Sequence, residues 1–531
     1  MATVRSLDST KSRTMSNEGV GPAKQELRSK VLAVGGIAGT YEELTGHKQE
    51  LKVSMSVWAL LGLAFANMAP STAINGSLGT ALLSGGPVAS LWGWLAVALI
   101  SICIALSLAE LCSAWPHAAG QALWSFQLAP PRWAPFLSYW TAWWNIAGGW
   151  ALIAAGAYIL SAGCLGLAAA YHPDYVEQPW HLVVCFLFSL FLFFVTNLYM
   201  VRILDRCTTS FAIINISTVV ATIIALAACA PVKAKPSFVF GGFYNGTGWS
   251  NGGLVFLLGL LQSSFTIIGY DAATHLCEEA VDAGRLAPIA VVGGTVIVGV
   301  VGFCYIIALL FAIADIDTVV SSPLPIVQIL SDSFGLRGAT AAFVFNLLIL
   351  SFACIGIVCA SSRAVWSMSR DRGFPGSLFF GKVNQTFVVP VNALLLQVTV
   401  PAILGLIYLG SNVVFFAFFQ LTTIGYLISY FIPIALIFFR GRHLLPPAYW
   451  RMPDGLARFC NIVALLYIPF ICVLFCIPNF YPVTSTNMNY TSAIAAVAIL
   501  IGTIGWYVEV RRHYKGPASQ APHLEETVAA V

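Results

Sequence analysis

The sequence predicts an all-α integral membrane protein of twelve transmembrane helices, with helices 1 and 6 broken. Three observations predict it. Of the 531 residues, 58% are hydrophobic and only 9% charged, with mean hydropathy +0.83, whereas soluble domains carry about 25% charged residues. Stretches apolar enough to cross about 30 Å of hydrocarbon recur along the chain. The lysines and arginines between them fall almost all on one side.

The spans lie near 54–82, 87–111, 134–168, 181–200, 208–230, 252–277, 287–314, 338–362, 389–410, 413–439, 459–477 and 490–509. The first 50 residues are polar and lack the apolar region of a signal peptide, so the first span is expected to act as an uncleaved anchor. The tails 1–50 and 510–531 are expected to be disordered and solvated. With both termini inside, 23 of the 26 Lys and Arg residues face inward; Lys233, Lys235 and Arg337 face outward. That bias supports cytosolic termini. The sequons at Asn245 and Asn489 then fall outside as glycosylation candidates, though the one at Asn489 lies so close to a span that it also reads as a chance match, and the one at Asn384 falls inside.

Composition also excludes. A net charge of +4 gives no footprint for nucleic acid. The 13 cysteines show neither metal-ligand spacing nor a disulfide framework. No nucleophile with its base, no phosphate-binding glycine loop and no filter repeat appears, so neither an enzyme nor a channel is expected. No cofactor and no metal is expected.

Two spans are interrupted. The first reads LGLAFANMAPSTAINGSLGTALLSGGP (61–87), with Asn67, Pro70, Ser71, Thr72, Asn75, Gly76 and Gly79 in its middle. The sixth reads FLLGLLQSSFTIIGYDAATHLC (256–277), with Gln262, Ser263, Ser264, Thr266, Gly269 and Asp271. Backbone breaks at membrane depth are tolerated where they line a cavity or are buried in protein. Spans 1 and 6 hold matching places in two five-helix halves, which points to a secondary transporter's binding site. Small residues at helix contacts are the competing reading.

If both are broken, amides near Ala69, Ser71, Thr72 and Ala73 suit a carboxylate at a helix start. Carbonyls near Phe265, Thr266 and Ile268 suit an ammonium. The natural ligand is a zwitterion, or a cation with one acceptor group.

These residues resemble the amino acid–polyamine–organocation (APC) superfamily, and within it the fungal GABA/choline/amino-acid permease branch. The likeness is carried by SGGP (84–87), AELCSAWPHAAGQALW (109–124), IIGYDAATHLCEEAVDAGRLAP (267–288) and ASSRAVWSMSRDRGFP (360–375). Two positions depart from the pattern. Ala283 stands where the family has Pro, and Gln121 where it has the second Gly of a re-entrant motif; both are expected to affect loop geometry rather than function. The resemblance implies a five-plus-five inverted repeat, about 54–230 and 252–439, with extra helices over 459–509. It also implies alternating access, with Phe265 as a gate over the solute.

Asp271 reads as the only charged residue well inside a span. It is a coupling or gating acid, an N-cap for the restarted helix, or both. His275 shares its helix face and is a candidate proton relay; packing at the inner mouth is the plainer reading. Glu278 and Glu279 are expected to pair with Arg363 or Arg370. Asn145 and Thr422 are polar groups in spans 3 and 10. The tryptophans at 140, 143, 144 and 150 form either a cation–π surface or plain packing. By resemblance to distant relatives of this fold, Ser361 and Ser362 with helix-1 carbonyls are candidates for a sodium site, although the resembled branch mostly uses protons.

The expected function is secondary active, proton-coupled uptake of an amino acid or GABA. The alternatives are a choline transporter of the same fold and a sensor homologue that does not transport. The partners are then a small amine-bearing solute, a proton and the lipid bilayer, and the location is the plasma membrane.

Overall fold

The computed structural model describes residues 57–517, apart from 173, 201–203, 281, 388, 410–413 and 485–486. The tail 1–50 lies outside the described residues. Among them the architecture is helical, with only isolated bridges at Ser84–Asn245 and Asn384–Val389.

In chain order the helices are α1 (Val57–Met68), α2 (Pro70–Leu83), α3 (Gly86–Ala114), α4 (Gln121–Leu128), α5 (Ala134–Tyr171), α6 (Pro179–Met200), α7 (Leu204–Cys229) and α8 (Pro236–Gly241). The second half holds α9 (Gly252–Gly259), α10 (Leu261–Thr266), α11 (Ala272–His275), α12 (Ala283–Phe311), α13 (Ile316–Ser321), α14 (Pro325–Arg370) and α15 (Ser377–Phe380). Then come α16 (Val391–Leu406), α17 (Val414–Arg440), α18 (Asp454–Leu474) and α19 (Thr491–Gly505).

Nine helices among the described residues are long and apolar enough to cross a bilayer, and 252–266 and 391–406 are shorter apolar helices. The predicted first span is absent from that count because it is divided into α1 and α2. The break sits at Ala69, whose left-handed backbone (φ 32°) is rare for a residue with a Cβ. Pro70 then opens α2, where its missing N–H costs nothing. In the sixth span, helix stops at Thr266 and restarts at Ala272, and Gly269 supplies φ 82° between them.

α14 runs on past the predicted end at 362 to Arg370, with one kink at Gly335 (φ 71°). Arg363 therefore lies inside α14, only 1% exposed, and Glu110 lies inside α3 at 2%, so Asp271 is not the lone buried charged residue of the bundle. α5 packs along α14 and α17. Gly148 and Gly425 let α5 and α17 approach backbone to backbone; a Cβ on Gly425 would lie 2.8 Å from the Gly148 Cα. Large apolar side chains such as Phe188, Phe191, Leu466, Val473 and Ile501 cover the outside, as a lipid-facing surface requires.

Loops assigned to one side touch one another. At the predicted outer end, the Gly85 amide donates to the Tyr244 carbonyl, the Ala234 amide to Phe311, and the Tyr481 amide to Thr247. At the other end, Ser113 donates to the Gly284 carbonyl and accepts from the Trp450 amide. Arg442 pairs there with Glu110 and Asp454. The tail beyond 510 is not wholly solvated as expected: Tyr514 is 4% exposed and shares a hydrogen bond with Ser138. Its ring covers Gly373.

Candidate functional site

Four voids follow one another down the bundle. The outermost is a vestibule of about 260 Å³ between α2, α5 and α14, lined by Thr72, Asn75, Tyr158, Asn346 and Phe419 among others. Below it lies a cavity of about 30 Å³ that shares Thr72, Ile159 and Leu350 with the vestibule. A third void holds Asn145, Gly269, Asp271, His275, Ser361 and Tyr426, and shares Asn67, Leu152 and Ile357 with the second. The fourth, against 119–122, shares Asn145 and His275 with the third. Each of the last two has room for about one water molecule. The route is wide at the predicted outer end and narrows to about one water towards the other.

Both breaks open onto the second cavity. Ala69, Thr72 and Ala73 line it from α1 and α2, and Phe265, Thr266 and Ile268 line it from the other break. The carbonyls of Phe265, Thr266, Ile267 and Ile268 accept no hydrogen bond from the described residues. The Phe265 ring meets Phe419 edge-on at 4.8 Å, at the floor of the vestibule.

The donor side is thinner than expected. Pro70 has no N–H, and the amides of Thr72 and Ala73 both return to the Ala69 carbonyl at 3.1 Å. The Thr72 hydroxyl takes the same carbonyl. Ser71 keeps an amide not so used, and its hydroxyl is buried without a partner among the described residues, although Ser71 does not line the cavity. Thr422 does not line any of the four voids either: its hydroxyl is spent on the Phe418 carbonyl of its own helix.

Asp271 is the one Asp, Glu, Lys or Arg lining the four voids, and is 1% exposed. It occupies the N-cap position of the restart at Ala272, but its side chain makes no capping bond. Instead Oδ2 accepts from Gln121 Nε2 at 2.7 Å and from Asn145 Nδ2 at 2.7 Å. Oδ1 accepts from the Tyr430 hydroxyl at 2.6 Å, and His275 Nε2 stands 3.3 Å from Oδ2. An ionised carboxylate, which only accepts, is the form these donors fit. The capping role is thus corrected to a network role. Gln121 and Tyr430 are the partners sequence reasoning missed. Gln121 was legible only as a departure from a motif; Tyr430 closes the polar stretch QLTTIGYLISY, four residues beyond Tyr426.

Asn67 was also passed over as a contact. Its Oδ1 is buried with no partner among the described residues, and its side chain lines both the second and third voids.

Towards the inner end, Arg363 Nε donates to Glu279 Oε1 at 3.3 Å, both side chains well buried. The Glu278 side chain lies outside the described residues. Ser362 donates to the Cys359 carbonyl and accepts from Arg363. Trp143 stacks with Tyr139 and Phe374 and donates to the Ala498 carbonyl. None of the four tryptophans of α5 lines any of these four voids. Among the described residues no group of three or more His, Cys, Asp or Glu side chains is placed to hold a metal ion.

Asn245 is exposed in its loop. Asn489 is 8% exposed, with its Nδ2 donating to the Phe475 and Ile477 carbonyls; that burial removes it as a glycan acceptor.

The family profile described as amino acid permease matches residues 55–502. The choline transporter of Saccharomyces cerevisiae is 34% identical over 472 residues, covering 87% of this chain and 83% of that protein. The amino-acid permease BAT1 of Arabidopsis thaliana is 32% identical over 509 residues, covering 89% and 95%. Amino-acid permease 2 of Neurospora crassa is 26% identical over 504 residues, covering 91% and 90%. The profile and these relatives mark a multi-pass membrane transporter rather than an enzyme, and the chain belongs to the amino acid permease family.

Proposed function

We propose that the chain takes up a small amine-bearing solute by alternating access, coupled to protons, across the plasma membrane. We infer twelve spans in two inverted five-helix halves with two further helices, and cytosolic termini. One observation carries the reading: the breaks at Ala69 and at 267–270 open onto one cavity, and a buried carboxylate lines the void that adjoins it. The free carbonyls of Phe265, Thr266 and Ile268 receive the cationic end. Ala69, Thr72 and Ala73 form the opposite wall, with Ser71 and Asn145 as nearby polar groups. Asp271 and His275 carry the proton. Glu278 and Glu279 belong to the inner gate.

An amino acid or GABA is the first reading of the solute. A specific observation favours a second, a quaternary amine such as choline. No Lys or Arg lines the voids, and the start of α2 keeps few amides for a carboxylate. The yeast relative's name agrees with that reading. Uptake by proteoliposomes of labelled GABA, neutral and basic amino acids, choline and putrescine decides between them. Accumulation of one class supports the proposal and names the solute; binding without accumulation of any supports the sensor reading.

A further inference from the structure

The imidazole of His275 stands between two acceptors. Nδ1 is 2.9 Å from the Ala118 carbonyl and Nε2 is 3.3 Å from Asp271 Oδ2. A carbonyl oxygen cannot donate, so Nδ1 carries a hydrogen. A neutral imidazole then presents a lone pair at Nε2, facing the carboxylate. The other neutral tautomer presents its lone pair to the Ala118 carbonyl. With Asp271 ionised, either tautomer sets acceptor against acceptor. The arrangement is satisfied only with one further proton, held on His275 as imidazolium or on Asp271 as carboxylic acid; it belongs to the pair.

The same pair holds the segment 117–121 that joins α3 to α4. Besides the Ala118 contact, Gln121 donates to Asp271. Gly120, at φ 49°, lies so close that a Cβ there would be 3.0 Å from Thr274 Oγ1 and 3.2 Å from His275 Cε1. Segment 117–121 thus packs directly beside the ring and the Thr274 hydroxyl. Ala119, Gln121 and Ala122 form one wall of the innermost void and His275 another.

We propose that the proton shared by Asp271 and His275 latches segment 117–121 over the innermost void, and that its release loosens the segment and opens the route inward. The proposal rests on the transport reading and adds its gate. The proton leaves to water in the innermost void, and the pair becomes carboxylate and neutral imidazole. The other titratable or charged groups around it are Tyr426 and Tyr430 from α17, Tyr270, His117, Cys277 and the Glu279–Arg363 pair. None of these replaces His275 between Ala118 and Asp271.

The test is hydrogen–deuterium exchange of the purified full chain in detergent, without solute, from pH 4.5 to 9.5 and corrected for intrinsic rates. Amides 117–122 are expected to exchange about tenfold faster on the alkaline side. His275→Gln, an uncharged donor and acceptor, is expected to abolish the pH step. Gln121→Leu, which removes the other tie, should keep the step from a raised baseline. Equal profiles in wild type and His275→Gln, or no step in wild type or Gln121→Leu, overturn the latch. Exchange needs no transport, so the two readings fail separately. A flat profile beside proton-driven uptake removes the latch alone. A pH step beside pH-indifferent uptake removes the coupling alone.

Discussion

Asn145 and Asp271, 126 residues apart in the chain, meet at 2.7 Å in the middle of the bundle. Asn145 comes from α5 and Asp271 from the restart after the second break. Their bond joins the two sequence halves at the level of the proposed solute site. Tyr430 from α17 and Gln121 from α4 complete the junction, so four parts of the chain converge on one carboxylate.

Tyr430→Phe leaves Asp271 Oδ1 without the donor it has in the structure. A hydrogen bond to a charged group contributes about 1.5–3 kcal/mol. The variant is expected to fold, to melt at lower temperature in detergent and to show altered pH dependence of uptake. Unchanged melting together with an unchanged pH profile would leave the Tyr430 contact without consequence.

The Glu279–Arg363 pair makes an asymmetric prediction. Removing one partner of a buried pair costs about 3–5 kcal/mol, while replacing both with apolar groups is often near neutral. Glu279→Ala and Arg363→Ala are each expected to destabilise strongly. Glu279→Leu combined with Arg363→Met is expected to recover most of the loss. Thermal unfolding of the four proteins in one detergent measures this; additive losses would show that the two side chains act independently.

Backbone contact between Gly148 and Gly425 sets the spacing of α5 and α17. A Cβ on Gly148 would lie 2.9 Å from the Tyr426 backbone nitrogen, and backbone cannot swing aside as a side chain can. Gly148→Ala or Gly425→Ala is expected to cost about 1–3 kcal/mol and to slow uptake by moving Asn145 away from Asp271. Wild-type melting and uptake in both would contradict the close approach.

The two outer sequons separate cleanly. Asn245→Gln is expected to abolish the endoglycosidase-sensitive mobility shift of protein made in a glycosylating host, and Asn489→Gln to leave it unchanged. A shift that depends on Asn489 would contradict its burial; no shift in wild type would count against the outward placement of the 245 loop.

Much of this was legible in the sequence, because helix breakers are local signals. Pro70 and Gly269 marked both breaks to within a few residues, and hydropathy placed the helices around them. What stayed hidden was long-range. Nothing near Asp271 names Gln121 or Tyr430, which lie 150 and 159 residues away, so a local cap looked adequate. The amides at 72 and 73 looked free because the helix start was placed near 71–73; with Ala69 as the N-cap, its carbonyl takes both as the first bonds of α2. The extent of α14 was misread because Arg363 suggests a helix end until Glu279 is seen to neutralise it. Asn489 matched a sequon, but its burial depends on the fold of the loop around 475–489.

The central claim is that Asp271 couples solute movement to protons. The direct measurement is accumulation of the solute found in the uptake panel, by proteoliposomes of wild type and Asp271→Asn, under an imposed pH gradient with and without a proton-conducting uncoupler. Wild type is expected to accumulate solute when the outside is acid, and to lose that accumulation with the uncoupler. Asp271→Asn, folded and inserted, should at most equilibrate solute at every pH. Undiminished, gradient-driven accumulation by Asp271→Asn would contradict the account.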